Sequence, residues 1–330
     1  MIRLTTILAL ALSFELSALS LAFADFNGKS RGTSGAQFLK IGPGARPAGM
    51  GEAFSAVSDD IHGLYYNPAG LASLRAVEFG GMHDQYFQSL DYNFGAVVVP
   101  LGRFRHKKDE MPEDANGVLG LAVYNLSVND IQRRGLSDSN IPTGTFGASD
   151  SAYALSYARR MGKGLSLGVT GKAIVQKLDD QTATSFALDA GALLRRDCAA
   201  RISGECALSA GLRNLGTRPK FDVSSDPLPL LLYTGGSFKM FHRLTLALDF
   251  DFPRDNDPQV AVGAEYRHPF SEAFTASLRS GYYTQNNDPS GMAGVSFGAG
   301  LGYKQVSLDF AWVPFGDLGN TFRYSLLLKF

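Results

Sequence analysis

Four aspartates form the cluster in this sequence whose spacing comes nearest to a chemical site. Asp249 and Asp251 alternate with apolar residues, and Asp255 and Asp257 follow in the next polar stretch. Oxygen-rich loops can bind calcium, but this spacing differs from that of an EF-hand and no glutamate closes it. We therefore interpret the cluster as a solvated acidic loop, with a calcium site as the alternative.

No catalytic motif accompanies these carboxylates. The sequence lacks the G-x-S-x-G, H-E-x-x-H and GxxxxGK[ST] patterns. Its histidines are scattered, at His62, His83, His106, His242 and His268. We predict that the protein is not an enzyme and uses no metal or cofactor, the alternative being a serine–histidine pair assembled from distant strands.

The first 24 residues have the pattern of a secretory signal peptide. Arg3 supplies the positive charge, residues 4–21 are mostly apolar, and Ala22-Phe23-Ala24 is a cleavage site. The mature chain would then begin at Asp25, and an uncleaved membrane anchor is the alternative. We expect export, and in that setting the strand pattern described below indicates a Gram-negative type of outer membrane.

Export also bears on the two cysteines. Cys198 and Cys206 lie eight residues apart, and an oxidising compartment favours a disulfide that joins the ends of one hairpin. Free thiols and a metal site are the alternatives. Lys plus Arg and Asp plus Glu number 31 each, so the composition favours no nucleic-acid partner.

Residues 76–330 predict a β-barrel. They divide into about fourteen segments, many of which alternate between apolar and polar side chains with the period of two typical of strands. The last is the clearest, because Phe322 and Tyr324 share one face while Thr321 and Arg323 share the other. A soluble sandwich would alternate as well. Small residues with few charges on the polar faces, and aromatics near strand ends, favour an all-β, antiparallel transmembrane barrel.

Connection lengths predict how the barrel crosses the membrane. With the N-terminus in the periplasm, the short connections fall on the periplasmic side and the longer ones outside. The longer set comprises residues 129–149, 214–229 and 285–291, and residues 102–116 are a long, charged exception on the periplasmic side.

Residues 25–75 differ from the rest of the chain and predict a plug inside the barrel. Glycines and prolines break this segment into turns, and non-helical backbone at membrane depth is tolerated where protein buries it. Arg46 in this segment has two interpretations, a salt bridge to a lumen carboxylate such as Asp189 or Glu265, or a gate residue that faces a ligand.

Two blocks of this segment carry a family resemblance. Residues 36–53 (AQFLKIGPGARPAGMGEA) and residues 65–71 (YYNPAGL) resemble the N-terminus of the PorV/PorQ family, which belongs to the wider FadL-like group of outer-membrane barrels. The resemblance implies a fourteen-stranded barrel whose plug shifts to let a hydrophobic molecule pass. It makes the following residues plug or hatch candidates: Gly42, Gly44, Arg46, Pro47, Gly49, Gly51, Asn67, Pro68 and Ala69.

A transport role would seat the ligand on apolar plug residues, namely Phe38, Leu39, Met50 and Phe54. The resemblance also implies an alternative, because the PorV/PorQ family includes a type IX secretion component that receives cargo proteins. Asn67 has a mechanical role in either case, since Pro68 keeps it out of the helical region and its side chain can bond nearby amides. A permanently sealed barrel is the remaining interpretation.

The expected partners follow from these interpretations. They are outer-membrane lipid, either a hydrophobic ligand or secretion-system proteins, and the barrel-assembly machinery. The last of these would read the C-terminal strand, because the chain ends in Phe330 and a terminal aromatic is usual in bacterial outer-membrane proteins.

Overall fold

The structure is a computed structural model of the 330-residue chain. It describes residues 28–86, 89–104, 117–134, 141–199, 203–221, 225–286 and 293–330. The signal peptide predicted for residues 1–24 lies outside the described residues. None of the helices in the described ranges is long and apolar enough to cross a membrane.

Fourteen antiparallel strands form one closed barrel, which confirms the predicted fold class. Each strand pairs with its neighbours in sequence, and the last pairs with the first. The strands are β1 (Glu78–Gln85), β2 (Asp91–Pro100), β3 (Val118–Arg133), β4 (Gly144–Arg160), β5 (Leu165–Leu178), β6 (Gln181–Ala199), β7 (Gly204–Gly216), β8 (Leu231–Met240), β9 (Leu244–Pro253), β10 (Gln259–Pro269), β11 (Phe274–Tyr283), β12 (Val295–Tyr303), β13 (Val306–Pro314) and β14 (Asn320–Lys329).

Strand β14 closes the barrel against β1. The pairing runs from Glu78 opposite Lys329 to Gln85 opposite Phe322, so neither strand is left with an open edge. Closure matters because an unpaired edge would leave backbone groups without hydrogen-bond partners in lipid.

Side chains alternate between lumen and exterior as the period of two requires. In β14, Thr321, Arg323 and Ser325 are buried inside, while Phe322 and Tyr324 point outward and are exposed. In β14 the outer face is therefore apolar and the inner face is polar, as is typical of a membrane barrel.

The lumen is filled by the segment that precedes β1. Its regular elements are two short α-helices, α1 (Ala45–Gly49) and α2 (Gly63–Tyr66), and 3₁₀ turns at Gly28–Ser30, Gln37–Lys40 and Pro68–Ser73. Phe54, Leu64 and Leu71 in this segment are fully buried. The apolar core of the molecule thus lies mainly inside the barrel, between the plug and the wall.

The two ends of the barrel differ in what they carry. We call the end where β1 begins and β14 stops the closing end, and the opposite end the loop end. The plug segment starts at the loop end, since the Gly35 amide donates to the Pro227 carbonyl between β7 and β8 at 2.9 Å. The start of the plug and the start of β1 therefore lie at opposite ends of the barrel, because residues 28–74 traverse the lumen before β1 begins. The periplasmic N-terminus stays a prediction.

One predicted long loop is also shorter than expected. Strand β3 continues to Arg133 and β4 begins at Gly144, so residues 129–149 are mostly strand and the connection shrinks to residues 134–143. Residues 129–149 were not recognised as strand because their side chains are mostly polar. Strand ends that project beyond lipid need no apolar face.

Candidate functional site

Arg46 on α1 is the centre of the contact between plug and wall. Its side chain is buried and donates to both carboxylate oxygens of Glu265 on β10, at 2.8 and 2.9 Å. It also donates to Asp59 at 2.5 Å and to Asp60 at 2.6 Å within the plug. The arginine therefore joins two plug carboxylates to one wall carboxylate, the first of its two predicted roles.

The same wall carboxylate continues the network around the barrel. Glu265 accepts from Arg279 on β11 at 2.7 Å, and Arg279 donates to Asp309 on β13 at 2.7 Å. The other carboxylate considered for Arg46, Asp189, instead binds Lys172 at 2.6 Å. Buried charges such as these persist because each is compensated by a partner.

A second network lies on β14 and was not predicted. Arg323 donates to Glu52 of the plug and to the Gly42 carbonyl, each at 2.8 Å, and lies 3.0 Å from Asp84. Tyr66 donates its hydroxyl to the same Glu52. An inward-facing arginine could be recognised in the sequence, but its partner 271 residues away could not.

Glycines let the plug backbone touch the wall. Gly51 has a positive φ of 62°, and a Cβ on wall residue Gly281 would lie 2.1 Å from the Gly51 nitrogen. Gly49 meets Gly298 in a similar way, because a Cβ on Gly49 would lie 2.9 Å from the Gly298 Cα. Gly51, Gly281 and Gly49 therefore leave no room for a side chain, and Gly298 leaves little.

The remaining hatch candidates at the start of the plug also pack closely. Gly44 precedes α1 with a φ of 100°, and a side chain there would meet the His62 ring at 2.2 Å. A Cβ on Gly42 would lie 2.0 Å from the Glu52 carboxylate. The buried Pro47 accepts at its carbonyl from the amides of Met50 and Glu52.

Asn67 ties the second half of the plug to the wall. Its Oδ1 accepts from the Ala69 amide at 3.1 Å, while its Nδ2 donates to the carbonyls of Ser55 at 3.0 Å and Ala192 on β6 at 3.2 Å. Pro68 begins the 3₁₀ turn, and a side chain on wall residue Gly168 would collide with it. Asn67, Pro68 and Ala69 thus form a turn in which the Asn67 side chain bonds nearby backbone groups, as the sequence predicted. A hinge role for it stays a prediction.

The four predicted ligand residues are packed into the core. Phe38, Met50 and Phe54 are buried among the other apolar side chains of the plug. Leu39 is buried too, but it borders a cavity of about 30 Å³ that opens towards the loop end. This volume suits about one water molecule. In this conformation these residues stabilise the plug, so a ligand would require the plug to move.

Polar, aromatic and aliphatic side chains line this cavity. Arg213 on β7 lies 4.8 Å from the centre of the Tyr65 ring and 5.3 Å from that of Tyr233. Its guanidinium is 3.5 Å from Asp251, which also accepts from the Tyr283 hydroxyl at 3.0 Å. Cation–π contacts and one ion pair therefore hold this arginine at the mouth of the lumen.

Two aspartates of the acidic cluster, Asp255 and Asp257, bind the start of the plug. Asp257 accepts from Arg31 at 2.8 Å, and Asp255 accepts from Lys40 at 2.6 Å and Gln37 at 2.9 Å. Burial raises the pKa of the Asp255 carboxyl, but the hydrogen bonds from Lys40 and Gln37 outweigh it and hold the pKa below its usual range. Among the described residues, no group of three or more His, Cys, Asp or Glu side chains is arranged to hold a metal.

The two cysteines and the C-terminal residue lie at the closing end. Cys198 and Cys206 are joined by a disulfide between β6 and β7. Phe330 follows β14, donates its amide to the Val77 carbonyl at 2.9 Å, and leaves its ring half exposed. Its role as an assembly signal stays a prediction.

Comparison with known proteins gives similarity in structure alone. No protein-family model and no curated protein sequence matches this chain. Several solved structures, in contrast, are similar to it. The toluene transporter TodX of Pseudomonas putida has a TM-score of 0.55 at 11% identity, over 87% of this chain and 97% of that chain. At this identity the chain shares the fold of that transporter.

Two further structures agree with this. The toluene transporter TbuX of Ralstonia pickettii has a TM-score of 0.53 at 13% identity, over 87% of this chain and 97% of that one. A FadL homologue of Pseudomonas aeruginosa has a TM-score of 0.52 at 12% identity, over 87% of this chain and 98% of that one. At these identities the similarity concerns the fold alone.

Proposed function

We propose that this protein is a plugged outer-membrane channel of the PorV/PorQ type that carries hydrophobic small molecules. The shared fold with proteins named as toluene transporters supports this proposal, as does a lumen filled by a separate segment of chain. The resemblance of residues 36–53 and 65–71 to the PorV/PorQ family supports the finer assignment.

The observation that carries the proposal is the uneven attachment of the plug. We call residues 28–40 the outer plug and residues 44–74 the inner plug. The outer plug is bound to the loop end by side chains that water reaches at least in part, such as Arg31 and Lys40. The inner plug is bound by buried charges around Arg46. The outer plug is therefore the part that opens at lower cost.

Displacement of the outer plug explains why the ligand would be hydrophobic. Phe38 and Leu39 leave the apolar core when residues 28–40 move, and exposing each costs about 2 kcal/mol. An apolar molecule that occupies the vacated space restores those contacts, whereas a polar solute does not. The cavity beside Leu39 and Tyr65 marks where such a molecule would first enter.

A cross-link between the outer plug and the wall tests this opening. A Cβ on Gly35 would lie 3.6 Å from the Asp226 Cβ, which is within the range of a disulfide. We expect Gly35→Cys with Asp226→Cys to abolish uptake of labelled toluene and hexadecane by cells that produce the protein, and reductant to restore it. The control is Gly35→Ser with Asp226→Ser, treated with the same reductant because Cys198 and Cys206 are also reduced.

The outcomes separate opening from transport. Uptake by the locked protein equal to that of the serine control would contradict movement of the outer plug. If cells that produce the unlocked protein take up neither hydrocarbon faster than cells that lack the protein, the transport proposal itself is wrong.

The type IX secretion alternative has less support. A cargo-binding role would be favoured by long extracellular loops, and residues 129–149 were the longest candidate. Strands β3 and β4 occupy most of that stretch, so little of it is free to hold a folded protein. We therefore prefer transport, and co-purification with secretion proteins would reverse that preference.

A further inference from the structure

Cationic side chains surround the closing end of the barrel. Most of them lie in or beside four of its connections, β4–β5, β6–β7, β8–β9 and β12–β13, while Arg75 precedes β1 and Arg267 lies near the end of β10. The exposed ones at these four connections, among the described residues, are Arg159, Lys163, Arg196, Arg243 and Lys304. Half-buried Arg195, Lys239 and Lys329 add to them.

Carboxylates at the same end are fewer. Asp197, Glu205 and Glu272 are exposed there, while Glu78 is buried and already bonded to Lys329 at 2.7 Å. The β2–β3 connection contains as many Lys and Arg as Asp and Glu in its sequence, so it leaves this balance unchanged. The closing end is therefore net positive, although the whole chain is neutral.

Exposed aromatic side chains lie at the same level. Phe241, Phe270, Tyr303 and Phe330 are each about half exposed or more, at 58%, 64%, 57% and 49%. Aromatic residues of membrane barrels collect where hydrocarbon meets the headgroups. The cations in the adjoining turns consequently lie at headgroup depth.

We propose that the closing end binds the headgroups of anionic phospholipids through this ring of cations. Guanidinium and ammonium groups form short, charge-assisted hydrogen bonds with phosphate oxygens. An anionic membrane surface attracts each nearby Lys or Arg, and the attraction falls off within a Debye length.

The distribution of the cations favours lipid over an acidic protein. A protein partner needs one contiguous patch, whereas these cations extend along the arc from β4 to β9 and recur at β12–β13 on nearly the opposite side. Lipid surrounds the whole barrel, so each turn can meet its own headgroup. Within the described residues, Lys163, Arg196, Arg243 and Lys304 form no salt bridge that would compete.

Native mass spectrometry of the folded protein in an equimolar mixture of phosphatidylglycerol and phosphatidylcholine tests this proposal. The test variant combines Lys163→Gln, Arg196→Gln, Arg243→Gln and Lys304→Gln. The control removes four exposed cations from the loop end instead: Arg134→Gln, Lys177→Gln, Arg218→Gln and Lys220→Gln. Both lose the same charge, and a band shift on boiling in a denaturing gel checks that each barrel is folded.

The wild type should retain phosphatidylglycerol in preference to phosphatidylcholine. We expect the closing-end variant to lose roughly tenfold or more of that preference, and the loop-end control to stay within about twofold. Equal losses in the two variants, or no preference in the wild type, would overturn the proposal. Suppose instead that an acidic protein co-purifies with the wild type but not with the closing-end variant, while the lipid preference of the two is the same. That result would identify a protein interface.

Discussion

The outer and inner plug fill one lumen, but they meet the wall through contacts of different kinds. Arg31 and Asp257 join the outer plug to the β9–β10 connection with side chains 66% and 58% exposed. Arg46 and Glu265 join the inner plug to β10 with side chains 7% and 4% exposed. Exposed pairs contribute at most about 1 kcal/mol, whereas removing one partner of a buried pair costs about 3–5 kcal/mol.

This difference separates anchoring from closure. The inner plug is held by charges that cannot be released without leaving others unpaired, so we expect it to stay with the wall. The outer plug covers the cavity at the loop end, and its exposed Arg31–Asp257 pair is a contact that water and salt can replace. Four substitutions test the contrast.

Arg46→Met should have the largest effect. It leaves the buried Glu265 and Asp60 and the half-buried Asp59 with less compensation, and we expect the folded barrel to lose about 3–5 kcal/mol of stability. The urea concentration at which the heat-modifiable gel band disappears measures the loss. A midpoint equal to that of the wild type would contradict an anchoring role.

Gly281→Ala should rank second, because a Cβ there would lie 2.1 Å from the plug backbone at Gly51. We expect a cost of about 1–3 kcal/mol and a rise in ion conductance in planar bilayers as the inner plug shifts. Gly95→Ala is the matched control, since nothing lies within 4 Å of its Cβ. Equal conductance of the two variants would contradict the close contact.

Lys40→Met should loosen the outer plug by about 1–2 kcal/mol, because Asp255 loses its charged donor. Docking lowers the pKa of Asp255, so its contribution is present above the usual aspartate pKa of about 3.9 and is lost as the pH falls through the lower docked value. The wild-type outer plug should therefore stay docked from pH 5 to 8 and loosen only in stronger acid.

Spin labels on residues 35 and 226 measure that movement as a change in distance. Lys40→Met should show a longer distance already at neutral pH. A wild-type distance that changes between pH 8 and 5 would assign the response to a group other than Asp255.

Arg31→Ala should have the smallest effect, at most about 1 kcal/mol, because both members of its pair are mostly exposed. The same distance measurement should show a small change at low salt that vanishes at high salt. A loss of stability as large as that of Arg46→Met would remove the distinction between the two halves of the plug.

Much of the barrel was predictable because its signals are local. The alternation in β14 assigns Arg323 to the lumen and Tyr324 to the exterior without knowledge of any other strand. The same rule failed at residues 129–149, where both faces of β3 and β4 project beyond the apolar band. The packed positions of Phe38, Met50 and Phe54 were not predictable either, because apolar plug residues suit a ligand surface and a core equally well.

The sequence by itself determined the number of strands, the faces they present and the segment that fills the lumen. Each depends on neighbouring residues, whether through the period of two or through glycine and proline. Only the tertiary structure decided that Arg46 takes Glu265 rather than Asp189, that Arg323 reaches Glu52, and that the plug enters from the loop end. Those contacts join residues that are far apart in sequence, and only barrel closure brings them together.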